Sequence, residues 1–165
     1  KKLLFMGCEF GQDWEWNAEE SLRWFLLDYP MYKGLQNCVR DLNLMYKGNA
    51  PLYQIDFDYR GFEWIEHSNA DDSVISYMRK GEKPGDYLIV ISNFTPVVRK
   101  NYRLGVNERC KYQEIFNSDD VNYWGSGVKN EGLLTTEEGE WNNKPRSIKV
   151  TLPPLSTIVL KPVRD

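Results

Sequence analysis

Hydrophobic and polar positions follow different periods on the two sides of Pro51. Upstream, Leu35, Cys38, Val39, Leu42, Met45 and Tyr46 recur at three- and four-residue spacings, the pattern of one face of a helix. Lys33, Gln36, Asn37, Arg40, Asp41 and Asn43 take the other side, and Gly48 followed by Pro51 supplies a stop. So wide an apolar stripe must lie against something large. Ahead of this helix, the apolar run from Leu3 to Phe10 predicts a strand, followed by a loop rich in tryptophan and acids. Asn17 is placed to cap a short helical stretch, Ala18-Glu19-Glu20, that leads into Leu22, Trp24 and Phe25.

Downstream of Pro51 the period falls to two, or the apolar runs are short and continuous. Strands are expected at Phe62 to Glu66, Val74 to Arg79, Tyr87 to Ile91, Val97 to Leu104, Lys111 to Phe116, Ser147 to Leu152 and Thr157 to Leu160. The run Tyr87-Leu88-Ile89-Val90-Ile91 has no polar face, so it reads as a central strand covered on both sides. Gly81, Pro84-Gly85, Asn107 and Pro153-Pro154 punctuate the runs. Seven or eight short strands with no intervening helix describe an antiparallel β-sandwich with Greek-key-like connections. The segment from Gly125 to Trp141 is too polar and glycine-rich for a strand pair and reads as a long loop; Trp64 reads as core.

Composition narrows the function classes. Basic and acidic residues number 21 and 24, with no basic block, so the clustered positive footprint of a nucleic-acid binder is missing. No apolar run approaches the roughly 18–20 residues that span a bilayer. The opening apolar run is too short for a signal peptide and soon meets Glu9 and Asp13, so a cytoplasmic protein is expected. Cys8, Cys38 and Cys110 are odd in number and widely spaced, which argues against a disulfide framework and against a zinc site. His67 is the single imidazole, in a polar stretch, and is expected to be a solvated strand-end residue. No nucleophile therefore has a base beside it, and Gly125-Ser126-Gly127 matches neither dinucleotide nor phosphate-loop spacing. Neither a metal nor a cofactor is expected. Asn93-Phe94-Thr95 fits a glycosylation sequon, read here as chance because Pro96 follows and nothing implies secretion. The chain opens on lysine inside an apolar segment, which reads as a piece of a longer protein.

Several blocks carry a resemblance. Leu3 to Gln12, Glu15-Trp16-Asn17, Ser21-Leu22, Trp24 to Leu27 and Val39-Arg40-Asp41-Leu42-Asn43 resemble, in order, the segment after the seventh barrel strand of bacterial-type glycogen (1,4-α-glucan) branching enzymes. Asp56-Phe57-Asp58, Gly61 to Ile65, Ser92 to Pro96, Tyr102 to Val106, Lys111-Tyr112, Glu114 to Asp119 and Leu152 to Thr157 continue the series over essentially the whole chain. Cys8, where asparagine is usual, and Cys110, where glycine is common, depart from the pattern.

The resemblance implies residues 1–52 as the end of a catalytic TIM barrel (last strand, loop and helices) and residues 53–165 as an all-β C-terminal domain. It implies a parent of the α-amylase-like retaining class, a glycosyltransferase that cleaves α-1,4 links and forms α-1,6 branches. Such enzymes need two carboxyl groups roughly 5–5.5 Å apart. Those carboxylates belong to barrel strands upstream of Lys1, so no catalytic residue is carried over and the chain alone is expected to be inactive. Loops at the C-terminal ends of barrel strands build the catalytic face. Glu9, Phe10, Gln12, Trp14 and Trp16 would lie there, either touching α-glucan or packing the barrel rim. Tyr123, Trp124 and Trp141 either form a starch-binding platform or cover the end of the sandwich. Three readings stay open: a structural domain, an independent carbohydrate-binding module, or a piece of another α-amylase-like enzyme. A barrel strand without neighbours exposes apolar side chains and unpaired backbone. Residues 1 to 12 are accordingly expected to be disordered, to fold back on the helix, or to self-associate through Leu3 to Met6.

Overall fold

The computed structural model describes residues 3–164. One long helix, α1 (Pro30–Gly48), precedes nine strands: β1 (Phe62–Asn69), β2 (Val74–Lys80), β3 (Tyr87–Asn93), β4 (Arg99–Val106), β5 (Lys111–Asn117), β6 (Leu133–Thr135), β7 (Glu137–Trp141), β8 (Lys144–Leu152) and β9 (Ser156–Val163). They form two antiparallel sheets, six strands in the order β1-β2-β3-β9-β5-β6 and three in the order β4-β8-β7. The links β3–β4, β4–β5, β6–β7 and β8–β9 cross from one sheet to the other, as a sandwich requires.

Two apolar layers follow from strand alternation. Ile89, Ile91, Leu160 and Ile158 point between the sheets and meet Leu104, Ile148, Val150 and Leu152, nearly all fully buried. On the opposite face of the larger sheet, Leu88, Val90, Phe116 and Val159 pack against Cys38 and Met45 of α1. The central strand β3 is thus buried on both faces, as its unbroken apolar run predicts. Helix α1 starts with Pro30 in its first turn, where the missing N–H costs nothing, and the Asn49 side chain donates to the Met45 carbonyl at its end. Its stripe is only half covered: Met31, Leu35 and Leu42 remain exposed.

Four expectations are corrected. Leu3 to Phe10 forms no strand; residues 6–11 are turns, with Gly7 and Gly11 at positive φ. Without a neighbouring strand to bond to, the segment instead buries Phe10 against Trp24, 5.3 Å between ring centroids. Leu3 and Leu4 line a groove beside α1. The helical stretch does not begin at Ala18: Asn17 accepts from the Glu19 N–H in a local turn, and a 3-10 helix follows at Trp24–Asp28. Trp64 is half exposed, because the alternation that buries Ile65 turns Phe62 and Trp64 outward, where they meet Tyr77 and the exposed His67. The polar segment before Trp141 is not one long loop. It contains β6 and β7, and Asn142 and Asn143, both at positive φ, make the two-residue hairpin turn into β8.

Candidate functional site

The loop from Gly7 to Arg23 is organised by Gln12. Its side-chain oxygen accepts from the Arg23 N–H at 2.9 Å and its amide donates to the Trp14 carbonyl at 3.1 Å, so one residue fixes both sides of the loop. Arg23 also pairs with Asp13 at 2.7 Å and lies over the Phe25 ring at 4.9 Å. Gly11 sits so close to α1 that a Cβ there would meet the Leu35 side chain at 2.7 Å.

Between these anchors opens a cleft of about 320 Å³, lined by Gln12, Trp14, Glu15, Asn17, Glu20 and Arg23. Trp14 is 71% exposed, and Trp16 stands half exposed with its ring edge-on to Phe5 at 5.1 Å. Glu9 is half-buried in the preceding turn and lies outside the cleft lining. An exposed indole flanked by carboxylate, amide and guanidinium groups offers a flat apolar face with hydrogen-bonding groups at its edge. Arg23 was not singled out from the sequence; the signal that could have found it is its opposite charge to Asp13, across the turn that Gln12 closes.

Trp124 and Trp141 lie elsewhere and apart. Trp124 follows the 3-10 turn Val121–Tyr123 with φ 69°, ψ 24°, a left-handed conformation unusual for a bulky residue, and it is 63% exposed. The buried Asp119 carboxylate holds this loop, accepting from the Ser126 N–H (2.8 Å), the Ser126 hydroxyl (2.6 Å) and the Val128 N–H (3.1 Å). Trp141 ends β7 with the Arg103 guanidinium 4.8 Å over its ring, so one face of the indole is already occupied. The structure therefore keeps Glu9, Trp14 and Trp16 in the loop before α1 and Trp124 and Trp141 at two other places. Among the described residues no group of three His, Cys, Asp or Glu side chains is placed to hold a metal ion, and no helix is long and apolar enough to cross a membrane.

The fold and the comparisons agree on the class of protein. Residues 64–163 match the model of the alpha amylase, C-terminal all-beta domain, and the chain belongs to that family. The more particular likeness extends over the whole length. The chain is 50% identical over all 165 residues to the 1,4-alpha-glucan branching enzyme GlgB of Halothermothrix orenii, of which it covers 26%. It is 47% identical over 98% of its length to the enzyme of the same name from Rubrobacter xylanophilus, covering 22% of it, and 46% identical over 98% to that of Aquifex aeolicus, covering 26%. The chain thus spans about a quarter of the length of the curated relatives it matches.

Proposed function

We propose that the chain is the C-terminal part of a 1,4-α-glucan branching enzyme and that its role there is structural. Residues 53–165 act as an all-β buttress, and residues 1–52 belong to the end of the catalytic domain that it supports. The observation that carries this reading is the apolar stripe of α1. One side of the helix is buried on the sheet, while Leu35 and Leu42 stay 38–39% exposed. Beside them, a groove of about 670 Å³ lined by Leu4, Leu42, Tyr77, Val90, Phe116 and Val159 remains open. An apolar surface of that extent marks an interface, and the other three quarters of a branching-enzyme polypeptide supply its cover. When the 165 residues are separated from that cover, the same surface, with Leu3 to Met6, favours self-association.

In this reading the parent acts on α-glucan such as glycogen or starch. The cleft at Gln12, Trp14 and Arg23, with Trp16 and Glu9 nearby, borders the path of the glucan chain. A second, smaller contact at Trp124 is supported by its exposed indole on a loop pinned in a strained conformation. Trp141 is the weaker platform because Arg103 covers its ring.

The test is a chimera in which this chain replaces the matching quarter of the Halothermothrix orenii enzyme. Expected are branching of amylose by the chimera, read by loss of iodine colour, and none by the 165-residue chain alone. Trp14→Ala in the chimera should raise KM for amylose several-fold. Amylose branched by the isolated chain, or a folded chimera that branches nothing, overturns the reading.

A further inference from the structure

The outer face of the six-stranded sheet continues beyond the reach of α1. Along β3 the outward positions run Leu88, Val90, Ser92, and the next is Phe94; along β9 they run back from Val159 through Thr157 to Leu155. The first members are buried under α1, whereas Phe94 is 61% and Leu155 69% exposed. Between the two halves, the Ser92 and Thr157 hydroxyls pair at 2.8 Å, and Thr157 lines the edge of the open groove.

Phe94 and Leu155 stand on two loops laced into one body. The buried Asn93 amide donates to the carbonyls of Val97 and Pro153, each at 2.8 Å, and its oxygen accepts from the N–H and hydroxyl of Thr95. The Leu155 N–H donates to the Thr95 carbonyl at 2.8 Å, and the Phe94 N–H to the Ser73 carbonyl at 3.0 Å. Leu155 is held at φ 45°, a conformation that glycine or asparagine adopts far more readily than leucine. A turn needing only that backbone shape would be better served without an apolar side chain. A rigid base therefore presents two, and Val97, whose carbonyl Asn93 holds, is also 55% exposed.

We propose that this Phe94–Leu155 knuckle is a second anchor by which the β domain docks against the catalytic portion of its own polypeptide, separate from the α1 contact. The inference rests on the reading of the chain as part of a branching enzyme. The occupant follows from three observations. The relatives carry about three times more chain than is present here. The knuckle lies on the same face of the sheet that packs against α1, one hydroxyl pair further along. A covalently tethered partner sits at high effective concentration, so a small apolar contact suffices to hold it. A glucan is the poorer fit, because the Thr95 hydroxyl and the Asn93 amide are already committed within the loops and the exposed groups are hydrocarbon.

The experiment compares amide hydrogen exchange in the isolated chain and in the chimera described above. Exchange at Phe94, Thr95, Val97, Leu155 and Ser156 should be slower in the chimera by on the order of tenfold. Phe94→Ser and Leu155→Gly should each abolish that protection while leaving exchange in the isolated chain's β4–β8 pair unchanged. Equal exchange of the two loops in the isolated chain and in an active chimera overturns the knuckle alone. A folded but inactive chimera overturns the functional reading and the inference with it. Protection of these amides in the isolated chain by maltoheptaose would replace the polypeptide partner with a glucan and overturn the proposal.

Discussion

The Tyr123 hydroxyl donates to the Asp41 carboxylate at 2.9 Å, joining the loop after β5 to the exposed side of α1. The ring itself stacks on Phe116, 5.8 Å between centroids. Burial, and then the hydrogen bond to Asp41, push the phenol upward, so it stays a donor at any ordinary pH. Tyr123→Phe keeps the stack and removes only the hydrogen bond. The expected cost is about 1 kcal/mol, seen as a fall of roughly 2–4 °C in melting temperature for a chain of this size. Asp41→Asn should cost less, because an amide oxygen can still accept. Equal stability of Tyr123→Phe and the parent chain would show that the stacked ring alone fixes this contact.

Gly34 tests the same seam from the helix. Alanine in a helix interior is ordinarily favoured over glycine by about 1 kcal/mol. Here a Cβ would stand 2.7 Å from the Tyr123 carbonyl carbon and 2.8 Å from its oxygen, closer than real atoms approach. Overpacking of that kind costs about 1–3 kcal/mol, so the clash wins and Gly34→Ala should lower the urea midpoint. Gly48→Ala, with nothing within 4 Å of its Cβ, is the control.

Why α1 and β3 could be read from the sequence, and β7 and Trp64 could not, is a matter of where the information lies. The helix announces itself because its apolar spacing is internal to one segment, and β3 because a run of five apolar residues can only be doubly covered. Glu137-Glu138-Gly139-Glu140-Trp141 has no such signal; all five residues are exposed. Its pairing comes from β8, through Glu138 to Arg146 at 3.2 Å and Glu137 to Lys149 at 2.9 Å, together with the turn at Asn142-Asn143. The alternation through Trp64 is plain, but which of its two faces meets the core depends on the partner strand. Trp64 stands opposite Tyr77, on the α1 side. The loop tryptophans were legible as candidates. Their separation was not, because it is set by tertiary anchors such as Gln12 and Asp119.

Asp119 makes one of these anchors measurable. Its carboxylate takes two N–H groups and a hydroxyl in a nearly dry position. Asp119→Ala leaves the Ser126 and Val128 amides unpaired, and hydrogen bonds to a charged acceptor carry about 1.5–3 kcal/mol. A loss of about 2–3 kcal/mol is expected, with a red shift in tryptophan emission as Trp124 leaves its fixed loop. The control is Asp120→Ala. Among the described residues the Asp120 side chain accepts from the exposed Asn122 N–H alone, and its loss should cost well under half as much. Matching losses in the two variants would remove Asp119 as the organiser of the loop.

Glu63 sets how the sandwich responds to acid. Its two carboxylate oxygens engage Lys80 on the neighbouring strand and Lys144 on the opposite sheet, so one side chain ties β1, β2 and β8 together. Burial pushes the carboxyl upward, but Lys144 and Lys80 outweigh it and hold it below the ordinary glutamate value. A depressed folded value means that the charged form stabilises the fold above the unfolded value, about 4.3. That stability is lost as pH falls through the folded value. The side chain is 29% exposed and Lys144 only 14%, which places the network between surface pairs worth about 0–1 kcal/mol and buried pairs whose breakage costs about 3–5 kcal/mol. Glu63→Gln should therefore cost about 1–2 kcal/mol at pH 7. The gap between variant and parent should therefore close as pH falls through the folded value of Glu63. Urea midpoints of the two proteins at pH 7, 5 and 3 give the measurement. A gap that stayed constant down to pH 3 would mean the glutamine is penalised for its shape and that the charge on Glu63 contributes nothing to the fold.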